Sequence, residues 1–301
     1  MVTKSTDLTF EPKIWQDHIE AYFDQKLVYG AFAYVPEGEY IPHSLKEGGE
    51  TVNFPYFNKI NGAEKPNEDE NLVVDKLTDG NFTAVVAEYG KAVGWTKTAV
   101  RKSTQSRDRI YREAKSQIAR VLAERLDNDL RDETNTAGNF EQGFLATAAA
   151  DTMNVKRLMT GQVKAFGDKA DDAEVTFMHS FQYLDYVTDA GTGFIKADAS
   201  DPFYFVNGFK GRVNQGLVII VNDNVTKVAD IDGKAAYRAM IHKPNSYGFM
   251  PAEEMMFDED NDALARQEYV VATQWYAVKS FHKKKSTDYK TAAAVTTTVS
   301  I

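Results

Sequence analysis

Several residue types and patterns are missing from this sequence of 301 residues. It contains no cysteine, which excludes a disulfide scaffold, a thiolate metal site and a cysteine nucleophile. It contains five histidines, and none of them stands in the HxH or HExxH spacing of a zinc site. No apolar stretch approaches the roughly 18 residues that a membrane span requires. The sequence therefore predicts neither a metal cofactor nor a membrane partner.

The signatures of common enzyme classes are missing as well. There is no GxSxG nucleophile elbow and no GxGxxG dinucleotide motif. Gly233-Lys234 is followed by Ala235, and no glycine precedes it at the spacing of a phosphate-binding loop. The sequence consequently gives few signals of catalysis.

Acidic residues outnumber basic ones. The chain has 44 Asp and Glu against 35 Lys and Arg, a formal net charge of −9, which argues against tight, sequence-independent binding of nucleic acid. The first seven residues carry no apolar core of a signal peptide, and this predicts folding in a cytosol. The hydrophobic content of 43% is ordinary for a folded globular protein.

One acidic run is the best chemical candidate. The residues from Asp258 to Asp262 begin like a calcium loop, but Ala263 stands where glycine is needed and Tyr269 stands where a bidentate glutamate is needed. We interpret the run as a solvated acidic turn between two strands. A soluble hydrolase that uses carboxylates such as Asp258 and Asp260 is an alternative of a different class.

The N-terminal third predicts elements whose apolar residues need another surface to cover them. Apolar residues at spacings of three and four predict an amphipathic helix from Pro12 to Tyr29. The alternating pattern of Thr51–Tyr56 predicts a strand, which Pro55 places at a sheet edge. A second extended segment from about Asn81 to Thr98 completes a long hairpin with an acidic tip. Loops of this length are usually functional or disordered.

The clearest predicted element is a helix from about Arg107 to about Glu133. Its apolar stripe consists of Ile110, Ala114, Ile118, Val121, Leu122, Leu126 and Leu130. Basic residues lie in the first half and acidic residues in the second, which is the reverse of what the helix dipole favours. This order indicates that partners outside the helix set the charge pattern. Alternatively, exposed charges tolerate the small penalty.

The remaining pattern is typical of an α+β protein. The predicted elements are helices at 151–166 and 180–187 and strands at 174–179, 217–221, 236–241 and 268–281. The first of these helices has an apolar side of Val155, Leu158, Met159, Val163 and Phe166. The Thr-, Ala- and Val-rich tail after Asp288 is predicted to be poorly ordered. Arms that cannot bury themselves point to extended self-association.

Three places carry a resemblance to a known family. The first is Thr51–Tyr56 with the segment 88–99, which leads to the long helix. The second is the helix segment Ile118–Leu130. The third consists of the strand segment 216–223 together with 262–265 and 269–276. In this order the chain, from roughly Asp7 to Phe281, resembles the major capsid (coat) proteins of tailed phages with the Hong Kong-ninety-seven-type fold.

The resemblance implies an α+β phage major capsid fold of five parts. They are an N-terminal arm at 1–50, an extended E-loop hairpin at 51–98, a peripheral domain with the long spine helix at 99–135, an axial domain at 136–235, and strands that return to the peripheral domain with a C-terminal tail at 236–301.

The resemblance also implies a function without catalysis or cofactor. The chain would assemble in the host cytoplasm into the icosahedral shell of a virion that encloses packaged double-stranded DNA. Its partners would be further copies of itself in pentamers and hexamers, a separate scaffolding protein, a portal protein and non-specifically bound DNA, with no membrane. An encapsulin-like compartment, whose shell encloses an enzyme, is the alternative with the same fold.

We expect the arm, the hairpin and the start of the spine helix to contact neighbouring subunits. Our hypothesis is that Arg107, Arg109 and Arg112 face acidic residues of another subunit at the hairpin tip. The full set of predicted contact residues is Tyr56, Lys65, Glu68, Asp69, Glu70, Arg107, Arg109, Arg112, Trp15 and Phe23.

Overall fold

The structure is a computed structural model. It describes residues 28–35, 51–57, 74, 76–103, 106–167, 169, 173–189, 194–196, 209–213, 216–262, 264–282 and 291–300. The predicted contact residues Trp15, Phe23, Lys65, Glu68, Asp69 and Glu70 lie outside these ranges, as does most of the predicted N-terminal helix. Among the described helices, none has the length and apolar character that crossing a bilayer requires.

The described residues form four α-helices and thirteen strands. The helices are α1 (Lys97–Lys102), α2 (Arg107–Asn135), α3 (Val155–Phe166) and α4 (Ser180–Asp189). The first strands are β1 (Thr51–Phe57), β2 (Asp79–Val85), β3 (Ala87–Thr96), β4 (Glu141–Leu145), β5 (Val175–Met178), β6 (Phe194–Lys196) and β7 (Phe209–Val213). The others are β8 (Val218–Val221), β9 (Lys227–Ile231), β10 (Lys234–His242), β11 (Tyr247–Asp262), β12 (Gln267–Ser280) and β13 (Ala292–Thr298).

Helix α2 confirms the strongest prediction from the sequence. Ser106 caps it, because its side chain accepts a hydrogen bond from the Arg109 backbone N–H, and the helix runs for 29 residues. Its buried face rotates along its length. Ile118 and Leu122 pack in one cluster with β12, whereas Leu130 packs in another with Val28 and Tyr29. Helix α2 therefore joins two packing units.

The first unit is a three-stranded antiparallel sheet in the order β11-β12-β3. Ten positions of β12 pair with β3, from Gln267 opposite Thr96 to Tyr276 opposite Ala87. The first half of α2 covers one face, where Trp95, Val270 and Ala272 are buried. The strands thus bring residues about 170 positions apart in the chain into register.

The second unit is an eight-stranded sheet. Seven strands follow the order β4-β13-β10-β5-β8-β7-β6, and β9 pairs with β10. All four residues of β8 are buried, as the apolar run at 217–221 predicts. One core cluster joins this sheet to α3 and α4 through Leu158 and Tyr186, and a second cluster joins it to α2 through Phe177.

The C-terminal tail corrects the sequence analysis. We predicted poor order after Asp288, but Ala292–Thr298 form β13, which pairs antiparallel with β10 and parallel with β4. All seven residues of β13 are buried. Small Ala, Val and Thr side chains fit a strand that is covered on both faces. Because the hydropathy of these residues is modest, the sequence pattern does not identify a strand that lies between two others. Strands β10 and β13 belong to the large sheet, so of the segment at 236–301 only β11 and β12 return to the three-stranded sheet.

Strands β1 and β2 are the described part of the predicted hairpin. They pair antiparallel, from Thr51 opposite Val85 to Phe57 opposite Asp79, and form a two-stranded sheet of their own. The segment predicted from Asn81 to Thr98 is extended up to Thr96, but it is divided at Val86, because β3 pairs with β12. Alternation of apolar and polar residues predicts an extended chain and does not show such a change of sheet.

Two predicted core residues lie on the surface. Val121 of α2 and Val163 of α3 are 44% and 57% exposed. In α3 the buried positions include Leu158, Gly161 and Phe166 instead. Gly161 is buried because α3 approaches β4 closely: a Cβ added to Gly143 of β4 would overlap the Gly161 Cα.

Candidate subunit-contact surfaces

The middle of the β1–β2 hairpin carries an aromatic cluster, because Phe54 pairs with Phe82 halfway along the two strands. The ring of Phe281 lies 5.1 Å from that of Phe54 and 5.6 Å from that of Phe82, measured between centroids. Tyr56 is half-buried and its ring lies 4.8 Å from that of Phe82, tilted by 32°, and over Gly80. Aromatic pairs at these distances contribute about 0.5–1.5 kcal/mol each beyond burial. The hairpin is thus anchored to the end of β12 through its middle.

A pocket of about 770 Å³ opens beside this cluster. Its walls combine the aromatic rings with a few polar side chains. The lining residues are Tyr34, Asn53, Phe54, Pro55, Tyr56, Phe57, Asp79, Phe82, Asn245, Met250, Phe281 and Thr291. Tyr56, the predicted contact residue, therefore lies at the edge of a concave apolar surface.

Arg107 has a partner within its own chain. Its Nη2 lies 3.0 Å from Glu268 Oε1, and its Nε donates to Glu268 Oε2 at 3.2 Å. The same Oε2 accepts hydrogen bonds from Trp95 Nε1 at 3.1 Å and from the Tyr111 hydroxyl at 3.2 Å. The nearby Tyr111 and Glu268 raise the pKa of the guanidinium. Glu268 is almost fully buried, so Arg107 compensates its charge from the surface. The Arg107 side chain itself is 57% exposed, and its contact with another subunit stays a prediction.

Arg109 and Arg112 are placed differently. Both are exposed, and Arg112 Nε donates to the Asp108 carbonyl at 3.4 Å. Within the described part of the chain neither guanidinium has an ion pair with a carboxylate. Their contact with another subunit stays a prediction.

The acidic run is a strand end and not a turn. Asp258–Asp262 are the last five residues of β11, and the reversal of the chain follows at 264–266. Asp262 Oδ1 accepts hydrogen bonds from the backbone N–H groups of Leu264 and Ala265, both at 2.9 Å. Asp258 and Asp260 are exposed. No cluster of three or more potential metal-ligating side chains occurs among the described residues.

Asp127 anchors the start of the described chain on α2. Its Oδ1 accepts two hydrogen bonds, from the backbone N–H groups of Val28 and Gly30, each at 3.1 Å. Burial raises the pKa of this carboxyl group, and the bonds from Gly30 and Val28 oppose that shift. The Tyr247 hydroxyl donates to the Tyr29 carbonyl at 2.8 Å. The described part of the predicted arm, at 28–35, is therefore held on α2 by a buried carboxylate.

Two imidazoles are buried between the large sheet and its connections. His242 Nδ1 lies 3.0 Å from Ser246 Oγ. His282 Nδ1 accepts hydrogen bonds from the backbone N–H groups of Thr291, at 3.0 Å, and Ala292, at 3.3 Å. Burial, and then the neighbouring His282, lowers the pKa of His242 to about 3. Both side chains thus join the ends of strands to the connections that follow them.

Sequence reasoning missed the roles of Asp127 and Glu268. Each is a charged residue with an apolar residue on one side, since Asp127 follows Leu126 and Glu268 precedes the run Tyr269-Val270-Val271. A charge in an apolar stretch is a signal of a buried ion pair or cap. Their partners, Val28 and Arg107, are about 100 and 160 residues away, and no local pattern identifies them.

Comparison with known proteins gives a result for the fold. No protein-family model and no curated protein matches the chain. Among solved structures, the capsid of Ralstonia phage GP4 matches with a TM-score of 0.67 and 14% identity over 97% of both chains. The capsid asymmetric unit of cyanophage Pam1 matches with a TM-score of 0.65 and 17% identity over 95% of both chains. The structure of Mycobacterium phage Che8 matches with a TM-score of 0.63 and 14% identity over 95% of this chain and 97% of that one. The chain therefore has the fold of these phage capsid structures, and the Hong Kong-ninety-seven-type fold that the sequence predicts is confirmed.

Proposed function

We propose that this chain is the major capsid protein of a tailed bacteriophage. It self-assembles into the icosahedral shell that encloses the double-stranded DNA genome. The observation that carries the proposal is the match along the whole chain, with 97% of both chains covered, to the capsid of Ralstonia phage GP4.

Exposed apolar side chains on projecting elements support the proposal. Phe57 and Val85, at opposite ends of the β1–β2 hairpin, are each 68% exposed. Leu184 of α4 is 51% exposed, in addition to Val163 of α3. Val52 and Ala84 bury part of the two-stranded sheet within its own chain, and neighbouring copies that cover its exposed apolar residues would stabilise it further.

The proposed contacts between subunits follow from these surfaces. Tyr56 contacts a neighbour at the edge of the aromatic pocket, and Arg109 and Arg112 contact one from the exposed side of α2. Lys65 and the acidic residues of the hairpin tip, and Trp15 and Phe23 of the N-terminal arm, complete the proposed set. Arg107 remains in the set, because its side chain is 57% exposed although it also pairs with Glu268.

The proposed partners and location are those of a shell protein. Copies of the chain form pentamers and hexamers, a scaffolding protein guides their closure in the host cytoplasm, and a portal protein occupies one vertex of the virion. DNA is contained without sequence preference. A structural role requires no catalytic site, and the exposed Asp258 and Asp260 give no support to the carboxylate hydrolase.

Electron microscopy of the purified chain tests the proposal. The chain is separated by size-exclusion chromatography and imaged with and without the scaffolding protein encoded beside it. Closed shells, or rings of five and six subunits, are expected. A stable monomer or dimer under every condition contradicts the proposal. Shells that enclose a co-purified enzyme instead of DNA would favour the encapsulin-like alternative.

A further inference from the structure

The unit formed by α1, α2 and the three-stranded sheet carries two surfaces of opposite charge. The basic surface consists of the exposed residues Arg101, Lys102, Arg109 and Arg112 at the end of α1 and the start of α2. The acidic row consists of Asp258, Asp260 and Asp262, three exposed carboxylates at alternating positions of β11. In the described part of the chain no ion pair joins any of these side chains to an opposite charge.

The basic surface points away from the sheet. At 100° per residue, Arg109 lies about 180° around α2 from Ile118, and Arg112 lies about 160° from Ala114. Ile118 and Ala114 are the buried residues that pack on the sheet. Arg109 and Arg112 therefore extend from the outer side of the helix.

The acidic row points away from the helix. Glu259 forms an ion pair of 2.7 Å with Lys115 of α2, and Lys115 also lies over the ring of Phe257. Because successive side chains of a strand alternate between its faces, Asp258 and Asp260 extend from the opposite face. Strand β11 pairs with β12 on one side and is the edge of the sheet on the other. The two charged surfaces thus lie on opposite sides of one helix-and-sheet layer and cannot neutralise each other within a chain.

The open face of the sheet adds an apolar centre beside the acidic row. Met256, on the same face as Asp258, is 47% exposed, and Trp275 of β12 is 37% exposed. An apolar centre with a charged margin is the usual composition of a specific protein interface.

We propose that the occupant of the acidic row is the basic surface of a second copy of this chain. The inference rests on the proposed function and names one of its contacts. The spacing fits, because Arg109 and Arg112 are neighbours on a helix, about 5–6 Å apart, and Asp258 and Asp260 are about 7 Å apart along a strand. Two different surfaces that meet head to tail generate rings or closed assemblies, unlike a symmetric dimer contact. This replaces the acidic hairpin tip, Glu68 to Glu70, as the partner of Arg109 and Arg112.

Reciprocal charge reversal tests the contact. One variant carries Arg109→Glu and Arg112→Glu, a second carries Asp258→Arg and Asp260→Arg, and a third carries all four changes. Each is purified after nuclease treatment, and shells are quantified by sedimentation and electron microscopy beside the wild-type chain. Like charges facing each other are expected to lower the shell yield of the first two variants about tenfold or more, with unchanged circular dichroism. The variant with all four changes has the same net charge as the wild-type chain and is expected to form shells again.

Three results would overturn the inference while the wild-type chain still forms shells. One is a normal shell yield from both reversed variants. Another is that the variant with all four changes forms no more shells than the first two variants do. The control for this result is the double variant Arg109→Lys with Arg112→Lys, which must assemble normally. If the arginine reversal leaves shell yield unchanged and lowers only the DNA retained in filled shells, the basic surface contacts DNA and the inference is wrong. Absence of shells from the wild-type chain contradicts the proposed function itself.

Discussion

The buried His242 predicts a specific loss of stability in acid. Burial and the neighbouring imidazole of His282 lower its pKa from 6.5 to about 3. The imidazole is therefore neutral in the folded chain under conditions in which it is already protonated in the unfolded chain. Stability that is fully present above pH 6.5 is lost as the pH falls, because only the unfolded state takes up the proton.

The magnitude follows from the size of the shift. Each pKa unit by which the folded and unfolded states differ corresponds to about 1.4 kcal/mol in the free energy of unfolding. Between pH 6.5 and about pH 4.5, His242 alone should lower the free energy of unfolding by about 2.7 kcal/mol. Its ionisable neighbours are His282, Glu174, Lys243 and Tyr247. Glu174 acts in the opposite direction, since burial raises its pKa and favours the folded state in acid.

A difference between two proteins isolates this contribution. Urea unfolding of the unassembled wild-type chain and of His242→Asn is followed by circular dichroism at about pH 7.5 and about pH 4.5. The asparagine keeps an acceptor for Ser246 but does not titrate. The wild-type chain is expected to lose about 2–3 kcal/mol more than the variant on acidification. Parallel losses in both proteins would refute the reasoning, whatever the stability of the variant at neutral pH.

Three further predictions concern the supports of the fold. Asp127→Ala leaves the backbone N–H groups of buried Val28 and of the more exposed Gly30 without their acceptor, which should cost about 1–3 kcal/mol and speed hydrogen exchange at both residues; unchanged exchange there contradicts the role of Asp127. Gly143→Ala forces backbone against backbone at Gly161 and should lower the melting temperature by several degrees, whereas Gly30→Ala, with open space around it, serves as the tolerated control. Deleting residues from 291 onward removes β13 from the centre of the large sheet, so the chain should be insoluble or lack cooperative unfolding, and a soluble, cooperatively unfolding product would contradict the central place of β13.

Local patterns predict the elements well where one face of a regular element is apolar. Helix α2 and strand β8 are identified by periodicity because each has neighbours that bury a continuous stripe or run. Strand β13 was missed because a strand between two others needs small side chains, and an Ala- and Thr-rich segment resembles a solvated tail. The division of the hairpin at Val86 was missed because the partner of β3 is β12, nearly 200 residues later.

The predicted contact residues show the same limit. Arg109 and Arg112 are exposed because they lie opposite the apolar stripe of α2, and this position can be predicted from the sequence. The bond of Arg107 to Glu268 depends on the pairing of β12 with β3, which brings Glu268 opposite Trp95. A side chain that looks equally free in the sequence thus has a partner within its own chain, although more than half of its surface is exposed. Long-range pairing, and not residue type, separates the two cases.

The single residue that joins β2 to β3 has a consequence for how the hairpin is supported. Val86 connects a two-stranded sheet to a strand that is held in a different sheet, so no ladder of backbone hydrogen bonds runs from one sheet into the other. Side-chain packing takes its place, because Val52 and Ala84 are buried in one cluster with Met250 of β11 and Ala277 of β12. The angle of the hairpin is therefore determined by the volumes of a few apolar side chains, and a substitution among them would tilt the hairpin while both sheets stay paired.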